Sequence, residues 1–291
     1  MKRAQVLVTG ANGQLGNELR ELSGDIDNVG FTFVDIDEMD LTHEDSIRSY
    51  FEGKSFDFIV NAAAFTQVDE AESKEEVAFA INAGALSVLC DICRRSGTRL
   101  IHISTDYVFD GQSCVPIRES DTPNPQSAYG RSKYEGERIV LEQLPDAYVI
   151  RTSWLYSSFG KNFVKTISRL ASERDSLNVV ADQVGSPTYA HDLAQAIIAV
   201  MQAAHERRVD VPGIYHYANE GVASWYDLAC AIVRIREYQC VVHPIRTEEY
   251  PLAAQRPAYS VLDKRKIRST FDIEIPSWYD ALMRCLGKPS M

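Results

Sequence analysis

The chain has 291 residues, 45% hydrophobic and 24% charged. That is an ordinary globular composition, which excludes a disordered chain and leaves room for one large α/β domain with a lobe, or two modest domains. A formal net charge of −11 and a pI near 5.1 exclude a broad basic surface for nucleic acid but not local sites for phosphate.

No apolar run approaches the roughly 20 residues needed to span a bilayer. The basic start Met1-Lys2-Arg3 precedes only Val6-Leu7-Val8, too short for a signal-peptide core. The expectation is a cytoplasmic protein with no membrane partner. Of six cysteines, only Cys90 and Cys93 form a C-x-x-C pair. They sit in an apolar-periodic helical stretch without a second pair, so they read as thiols rather than a zinc site.

In chain order, AQVLVTG predicts a strand and GQLGNELRELS a helix. FTFVDI is a strand, HEDSIRSYFEG a helix, and FDFIVNAAA a strand. KEEVAFAINAGALSVLCDICRRSG supplies one or two helices, and RLIHISTDYVF a strand. NPQSAYGRSKYEGERIVLEQL carries a helix and AYVIRTSWLY a strand. Strands alternating with helices imply βαβ units, and the near-continuous apolar strands FDFIVN and RLIHIS suit a sheet covered on both faces.

After about residue 155 the pattern loosens. NFVKTISRLASE and DLAQAIIAVMQAAHE read as helices, GIYHYAN as a strand, and SWYDLACAIVRI as a helix capped by Ser224. The tail is irregular, with Pro244, Pro251, Pro257 and Pro276. The expected fold is α/β: a doubly wound parallel sheet, Rossmann-like, with a smaller C-terminal substrate lobe. Residues 1–155 form the dinucleotide-binding domain, with 213–235 returning to it, and 156–291 mainly the lobe.

The first strand runs into Gly10-Ala11-Asn12-Gly13-Gln14-Leu15-Gly16 and then a helix. Glycines at such a turn let the backbone approach a pyrophosphate, and the helix N-terminus offers free N–H groups. The spacing is G-x-x-G-x-x-G, and its place between a strand and an amphipathic helix makes it specific. Asp35, about 20 residues beyond Gly16, stands where an acid meets the adenosine ribose and favours NAD. Asp37 and Asp40 are alternatives for that contact.

Tyr129 and Lys133 form Tyr-x-x-x-Lys, placing both side chains on one helix face. A tyrosine titrates near 10. An ammonium at ~4 Å with an effective dielectric of ~20 contributes about 4 kcal/mol, roughly three pKa units. The expectation is a phenol brought near neutrality, able to protonate a carbonyl oxygen as hydride reaches its carbon. Ser104-Thr105-Asp106 ends a strand at the carboxyl edge, and Thr105 is chosen over Ser104 by strand parity.

TGANGQLG, VNAAAFTQVDEAE, STDYVFDG, YGRSK, RTSWLY, NFVKT, DQVGSPTYA and QRPAYSVLDKRKI together carry a resemblance over nearly the whole chain. It resembles the dTDP-4-dehydrorhamnose reductases of the extended short-chain dehydrogenase/reductase superfamily. The resemblance implies NADPH, or NADH, reducing the C4 ketone of dTDP-6-deoxy-L-lyxo-4-hexulose to dTDP-L-rhamnose. It makes Thr105, Tyr129 and Lys133 the catalytic set, with Tyr129 as proton donor. Gly13, Gln14 and Leu15 match the pyrophosphate turn, and Asp35, Asp40 and Leu41 the adenosine contacts. Ala64, Phe65 and Thr66 match the loop on the nicotinamide side, with Ile103 nearby. Thr105, Asp106 and Trp154 match the sugar-nucleotide contacts, and Arg256 is a candidate for the diphosphate.

Some members of the family are described with a magnesium-bridged dimer built on three glutamates per subunit. Glu18 fits the first position and Asp192 the second, but the C-terminal LGKPSM offers no third acid. The expectation is no metal, and a homodimer is left open. Two rival readings are another sugar-nucleotide epimerase or dehydratase, and a cofactor-binding regulatory subunit like that of methionine adenosyltransferase. The intact Thr105, Tyr129 and Lys133 set argues against the second.

Overall fold

A computed structural model of the chain describes residues 3–206 and 208–287. Met1-Lys2 of the basic start and residues 288–291 of the C-terminal LGKPSM lie outside the described residues.

The first half alternates strands and helices: β1 (Ala4–Thr9), α1 (Gln14–Ser23), β2 (Val29–Val34), α2 (Glu44–Phe51) and β3 (Phe58–Asn61). Then come α3 (Val68–Ala71), α4 (Glu75–Phe79), a π-helical turn (Ala80–Gly84) and α5 (Ala85–Ser96). β4 (Arg99–Thr105) leads through a 3₁₀ turn (Asp106–Val108) to α6 (Ala128–Gln143) and β5 (Tyr148–Thr152).

The second half contains β6 (Leu155–Tyr156), α7 (Phe163–Glu173), β7 (Ser176–Val180), β8 (Val184–Gly185), β9 (Thr188–Tyr189) and α8 (Ala190–His205). β10 (Gly213–His216), β11 (Ala223–Ser224), α9 (Trp225–Ile235) and β12 (Val241–Ile245) follow, then α10 (Arg265–Phe271) and α11 (Trp278–Gly287).

Six strands pair in the order β10-β5-β4-β3-β1-β2, every pair parallel. The expected doubly wound sheet is therefore present. The chain steps outward from β1 to β2, then back across β1 to β3. That reversal opens a crevice beyond the carboxyl ends of β1 and β3, where such folds bind ligands. One sheet face carries Val6, Val8, Val60 and Ile101 against α1 and α8; the other carries Leu7, Ile59, Leu100 and Val149 against α2, α5 and α6.

By length and composition, the continuous helix Glu75–Ser96 is apolar enough to cross a membrane. In the fold its Leu86, Leu89, Cys90 and Cys93 pack into the sheet core. Arg94 and Arg95 both pair with Asp91 along it. Burial pushes both thiols up, Cys90 to about 12.

A third core joins Val164 and Ile167 of α7, Leu228 and Ile232 of α9, and Leu282 and Cys285 of α11. This lobe is discontinuous in sequence. α8 leaves it, because its apolar residues surround nearly the whole helix and cover the main sheet through Leu193, Ile197 and Met201. Ile267 and Phe271 of α10 do likewise. Within 213–235, β10 joins the main sheet while α9 stays in the lobe. The Ser224 cap of α9 is a capping box: its hydroxyl accepts from the Asp227 N–H at 3.0 Å.

Candidate active site

The turn after β1 closes tightly. Gly10 has φ +66°, and a Cβ there would stand 2.7 Å from the Ala63 nitrogen. On Gly16 it would stand 2.3 Å from the Gly10 oxygen, so both positions require glycine. Gly13 caps α1 without a side-chain hydrogen bond, leaving the first-turn N–H groups to a ligand. Gly10, Gly13, Gln14 and Leu15 line a cleft of about 730 Å³. Gly16 lies behind it, and Asn12 gives its backbone N–H to Asp35 Oδ2 at 2.7 Å.

Beyond Asp35 a smaller hollow of about 110 Å³ is lined by Asp35, Met39, Asp40, Leu41 and Ala64. Asp40 turns its carboxylate to the Thr42 hydroxyl (2.6 Å) and N–H (2.8 Å), which hold it below the usual range. Among the described residues, no arginine or lysine lines this hollow.

The loop after β3 brings Ala64 and Thr66 to the cleft wall. Phe65 instead packs with Ala71, Ala128 and Tyr129. Its N–H is held by Asn82 Oδ1 at 2.9 Å, and Asn82 Nδ2 reaches Ser132 Oγ on α6 at 2.9 Å. The π turn that carries Asn82 thus fixes the loop and α6 together.

Ser127 caps α6, accepting from the Gly130 N–H at 3.1 Å. Tyr129 and Lys133 follow on the face toward β4, both nearly buried. Ile103, Thr105 and Asp106, from the end of β4, line the same cleft as these two. Thr105 Oγ1 donates to Asp106 Oδ1 at 2.9 Å and also engages the Tyr129 phenol. Ser104 Oγ is buried without a hydrogen-bond partner among the described residues.

The electrostatics correct one expectation. Burial pushes the Tyr129 phenol up to about 12; the Thr105 hydroxyl opposes this, and the Asp106 charge adds to it. The expected drop toward neutrality is absent, because burial outweighs any gain from Lys133. Lys133 Nζ is bound on the sheet side, to the Ile103 carbonyl (2.8 Å) and His102 Nε2 (3.3 Å), and burial lowers its pKa to about 8. Asp106 is raised to about 6 by burial, against the Thr105 hydrogen bond. Tyr129 is thus fully protonated at pH 7.

On the lobe side Trp154 adopts φ +49°, rare for a bulky side chain. Its Nε1 donates to Ser260 Oγ at 3.1 Å, and its ring stacks on Trp225. Trp154 lines the cleft, and Trp225 lines an adjoining cavity of about 950 Å³ between α7, β7 and residues 250–256. Arg256 lies on that cavity and pairs with Asp69 of α3 at its Nη1 (3.0 Å) and Nη2 atoms. A larger open groove of about 1140 Å³ beside β10 and α10 shares no lining residue with the cleft.

Glu18 and Asp192 lie elsewhere. Glu18 is buried, accepting from Ser157 Oγ at 2.6 Å and meeting His191 Nδ1 at 3.0 Å. Glu21 has a carboxylate oxygen within 4.8 Å of these groups. Asp192 is held by Arg284 at 2.7 Å through both oxygens.

Sequence reasoning overlooked His102, Asn82, Trp225 and Asn162. Asn162 caps α7 and reaches Gln14 Oε1 at 2.9 Å. Polar residues inside apolar runs, as in RLIHIS and AFAINAGA, were the available signal.

A family model described as the RmlD substrate binding domain matches residues 4–290. A dTDP-4-dehydrorhamnose reductase from Aggregatibacter actinomycetemcomitans is 40% identical over 285 residues, 96% of this chain and 97% of that protein. A dTDP-4-keto-6-deoxy-D-glucose reductase from Streptomyces niveus is 38% identical over 278 residues, 95% and 94% of the two chains. The crystal structure of dTDP-4-dehydrorhamnose reductase from Bacillus anthracis in complex with NADP is 36% identical, with TM-score 0.91 over 98% of this chain and 99% of that one. With its phosphate turn, its Tyr-x-x-x-Lys helix and near-complete matches of this kind, the chain belongs to the dTDP-4-dehydrorhamnose reductase family.

Proposed function

We propose that the protein reduces the C4 ketone of dTDP-6-deoxy-L-lyxo-4-hexulose to dTDP-L-rhamnose, using NADPH and also accepting NADH. The observation that carries this reading is the placement of Thr105, Tyr129 and Lys133 around one cleft that begins at the glycine turn.

The cleft fits a dinucleotide. Its uncapped helix start suits the pyrophosphate, and the hollow beside Asp35 suits the adenosine. Ala64, Thr66 and Ile103 form the nicotinamide side, with Phe65 packed behind them. When bound, the reduced cofactor supplies a hydride to the ketone carbon.

The protein's residues do the rest. Thr105 orients the ketone oxygen by hydrogen bonding. Tyr129, protonated at neutral pH, gives its phenolic proton to that oxygen as negative charge develops there. A secondary alkoxide is a stronger base than a phenolate, so the transfer runs downhill. Lys133 holds the nicotinamide ribose and stabilises the phenolate left behind. Asp106 and Trp154 contact the sugar.

The cavity beside Trp225 takes the nucleoside end. Three of the five guanidinium donors of Arg256 are used by Asp69 and the Ala254 carbonyl, which leaves two for the diphosphate.

A second reading, favoured by the Streptomyces niveus relative, is a C4 reductase acting on a different dTDP-4-keto-6-deoxy sugar. One experiment tests both. Oxidation of NADPH and of NADH is followed with each 4-keto sugar nucleotide, made in situ by upstream enzymes, and the product sugar is identified. Stoichiometric cofactor consumption with a rhamnosyl product supports the proposal. Turnover without net consumption would indicate an epimerase or dehydratase.

A further inference from the structure

Thr9, Asn61 and His102 stand side by side on β1, β3 and β4. Thr9 is the register partner of Asn61, and Asn61 of His102. All three are at most 2% exposed. Two residues earlier on the same face stand Leu7, Ile59 and Leu100 of the apolar core. A polar row thus interrupts an apolar surface, and such a row is costly unless its members are bonded.

They are bonded in sequence. Thr9 Oγ1 meets Asn61 Oδ1 at 2.6 Å, and the Asn61 amide meets His102 Nδ1 at 3.1 Å. His102 Nε2 meets Lys133 Nζ at 3.3 Å. The row therefore ends on a residue that lines the cleft.

We propose that His102 is a positioning residue for Lys133: its Nε2 accepts one ammonium hydrogen, the Ile103 carbonyl takes a second, and the third is aimed into the cleft. An ammonium has three donors and no acceptor, so two fixed acceptors beneath it set both its rotation and its depth. Nε2 accepts only while the ring is neutral, and burial with the adjacent Lys133 charge holds His102 well below its ordinary pKa. The ring proton then lies on Nδ1. A flip of the Asn61 amide presents Oδ1 to it and turns Nδ2 toward Thr9.

Few other charges bear on the ammonium. Glu137, one turn along α6, favours its charge and is itself held by Arg151 of β5 at 2.6 Å. β3 brings only the neutral Asn61, and Tyr129 and Asp106 lie toward the cleft.

The inference rests on Lys133 acting as proposed above, and the test separates the two. Lys133→Ala and His102→Leu, His102→Asn and His102→Gln are compared for thermal melting, NADPH KM, kcat and the pH profile of kcat/KM. Gln places Oε1 near the site of Nε2, whereas Asn reaches only the site of Nδ1. His102→Leu and His102→Asn should raise the NADPH KM about tenfold and lower kcat.

The alkaline limb should move down by about one pH unit in both, since an ammonium that has lost an acceptor gives up its proton more readily. His102→Gln should restore all three readouts to within about threefold of the parent. If His102→Leu melts like the parent and leaves KM and the alkaline limb in place while Lys133→Ala is damaged, the role of His102 is refuted and that of Lys133 stands. Equal damage in Gln and Asn also refutes it, pointing to ring packing alone. Unchanged turnover in Lys133→Ala would overturn both.

Discussion

Trp154 lies flat on Trp225, with ring centroids 3.5 Å apart and planes within 2°. One ring belongs to the cleft wall and the other to α9 of the lobe, so the stack ties that wall of the cleft to the lobe core. With the Ser260 hydrogen bond it also holds Trp154 in its unusual backbone conformation. Trp225→Ala should raise KM for the sugar nucleotide roughly tenfold, since an aromatic pair and its packing are worth about 1–2 kcal/mol. NADPH affinity should stay within about twofold of the parent. Steady-state kinetics with cofactor titration checks this; an equal loss on both ligands would contradict the assignment.

Tyr129→Phe removes the phenolic proton but keeps the ring against Tyr107, whose centroid is 5.4 Å away. Turnover should fall by about 10²–10⁴ with little change in cofactor binding. Single-turnover measurement of cofactor oxidation reads the step directly, and near-parent rates would eliminate Tyr129 as donor.

Asp106 predicts a pH dependence of stability. Its folded pKa, about 6, is raised from the ordinary carboxyl range by burial. The folded carboxyl therefore binds more protons than the unfolded one between about pH 4 and 6. Its contribution is fully present below that window and lost as pH rises through it, by roughly 2–3 kcal/mol. Asp106→Asn should melt at nearly constant temperature from pH 4.5 to 7 once other carboxylates are accounted for, and above the parent at pH 7. Melting curves of both at several pH values decide; parallel curves would show that Asp106 does not titrate in this way.

Asp35 shapes the hollow assigned to the adenosine. A carboxylate there repels a 2′-phosphate, and among the described residues no arginine or lysine lining the hollow offsets it. Asp35→Asn should raise the ratio of NADPH to NADH efficiency about tenfold, a partly screened charge effect. Ratios of kcat/KM for the two cofactors measure it. A ratio unchanged from the parent would place the ribose elsewhere.

The parallel sheet was legible because strands such as FDFIVN are nearly continuously apolar, as a sheet covered on both faces needs. The glycine turn and the Tyr129–Lys133 pair were legible because their chemistry depends on local spacing. The short strands β6, β8, β9 and β11, two residues each, leave no periodic trace. The break between β5 and β6 follows from the positive φ of Trp154, which nothing in RTSWLY announces. The response of Tyr129 was read with the wrong sign, because a pairwise Coulomb argument omits burial, and burial here is nearly complete. Arg256 reads from sequence as a candidate for the diphosphate, but its pairing with Asp69, far away in sequence, leaves no local trace.

The helix that opens onto the glycine turn also reaches the lobe: Gln14 holds Asn162 at the cap of α7, and Glu18 holds Ser157 while meeting His191 of α8 on the sheet side. The first turn of α1 and the cap of α7 are therefore one fastening: a change at Gln14 would loosen the rim of the cleft and the start of α7 together.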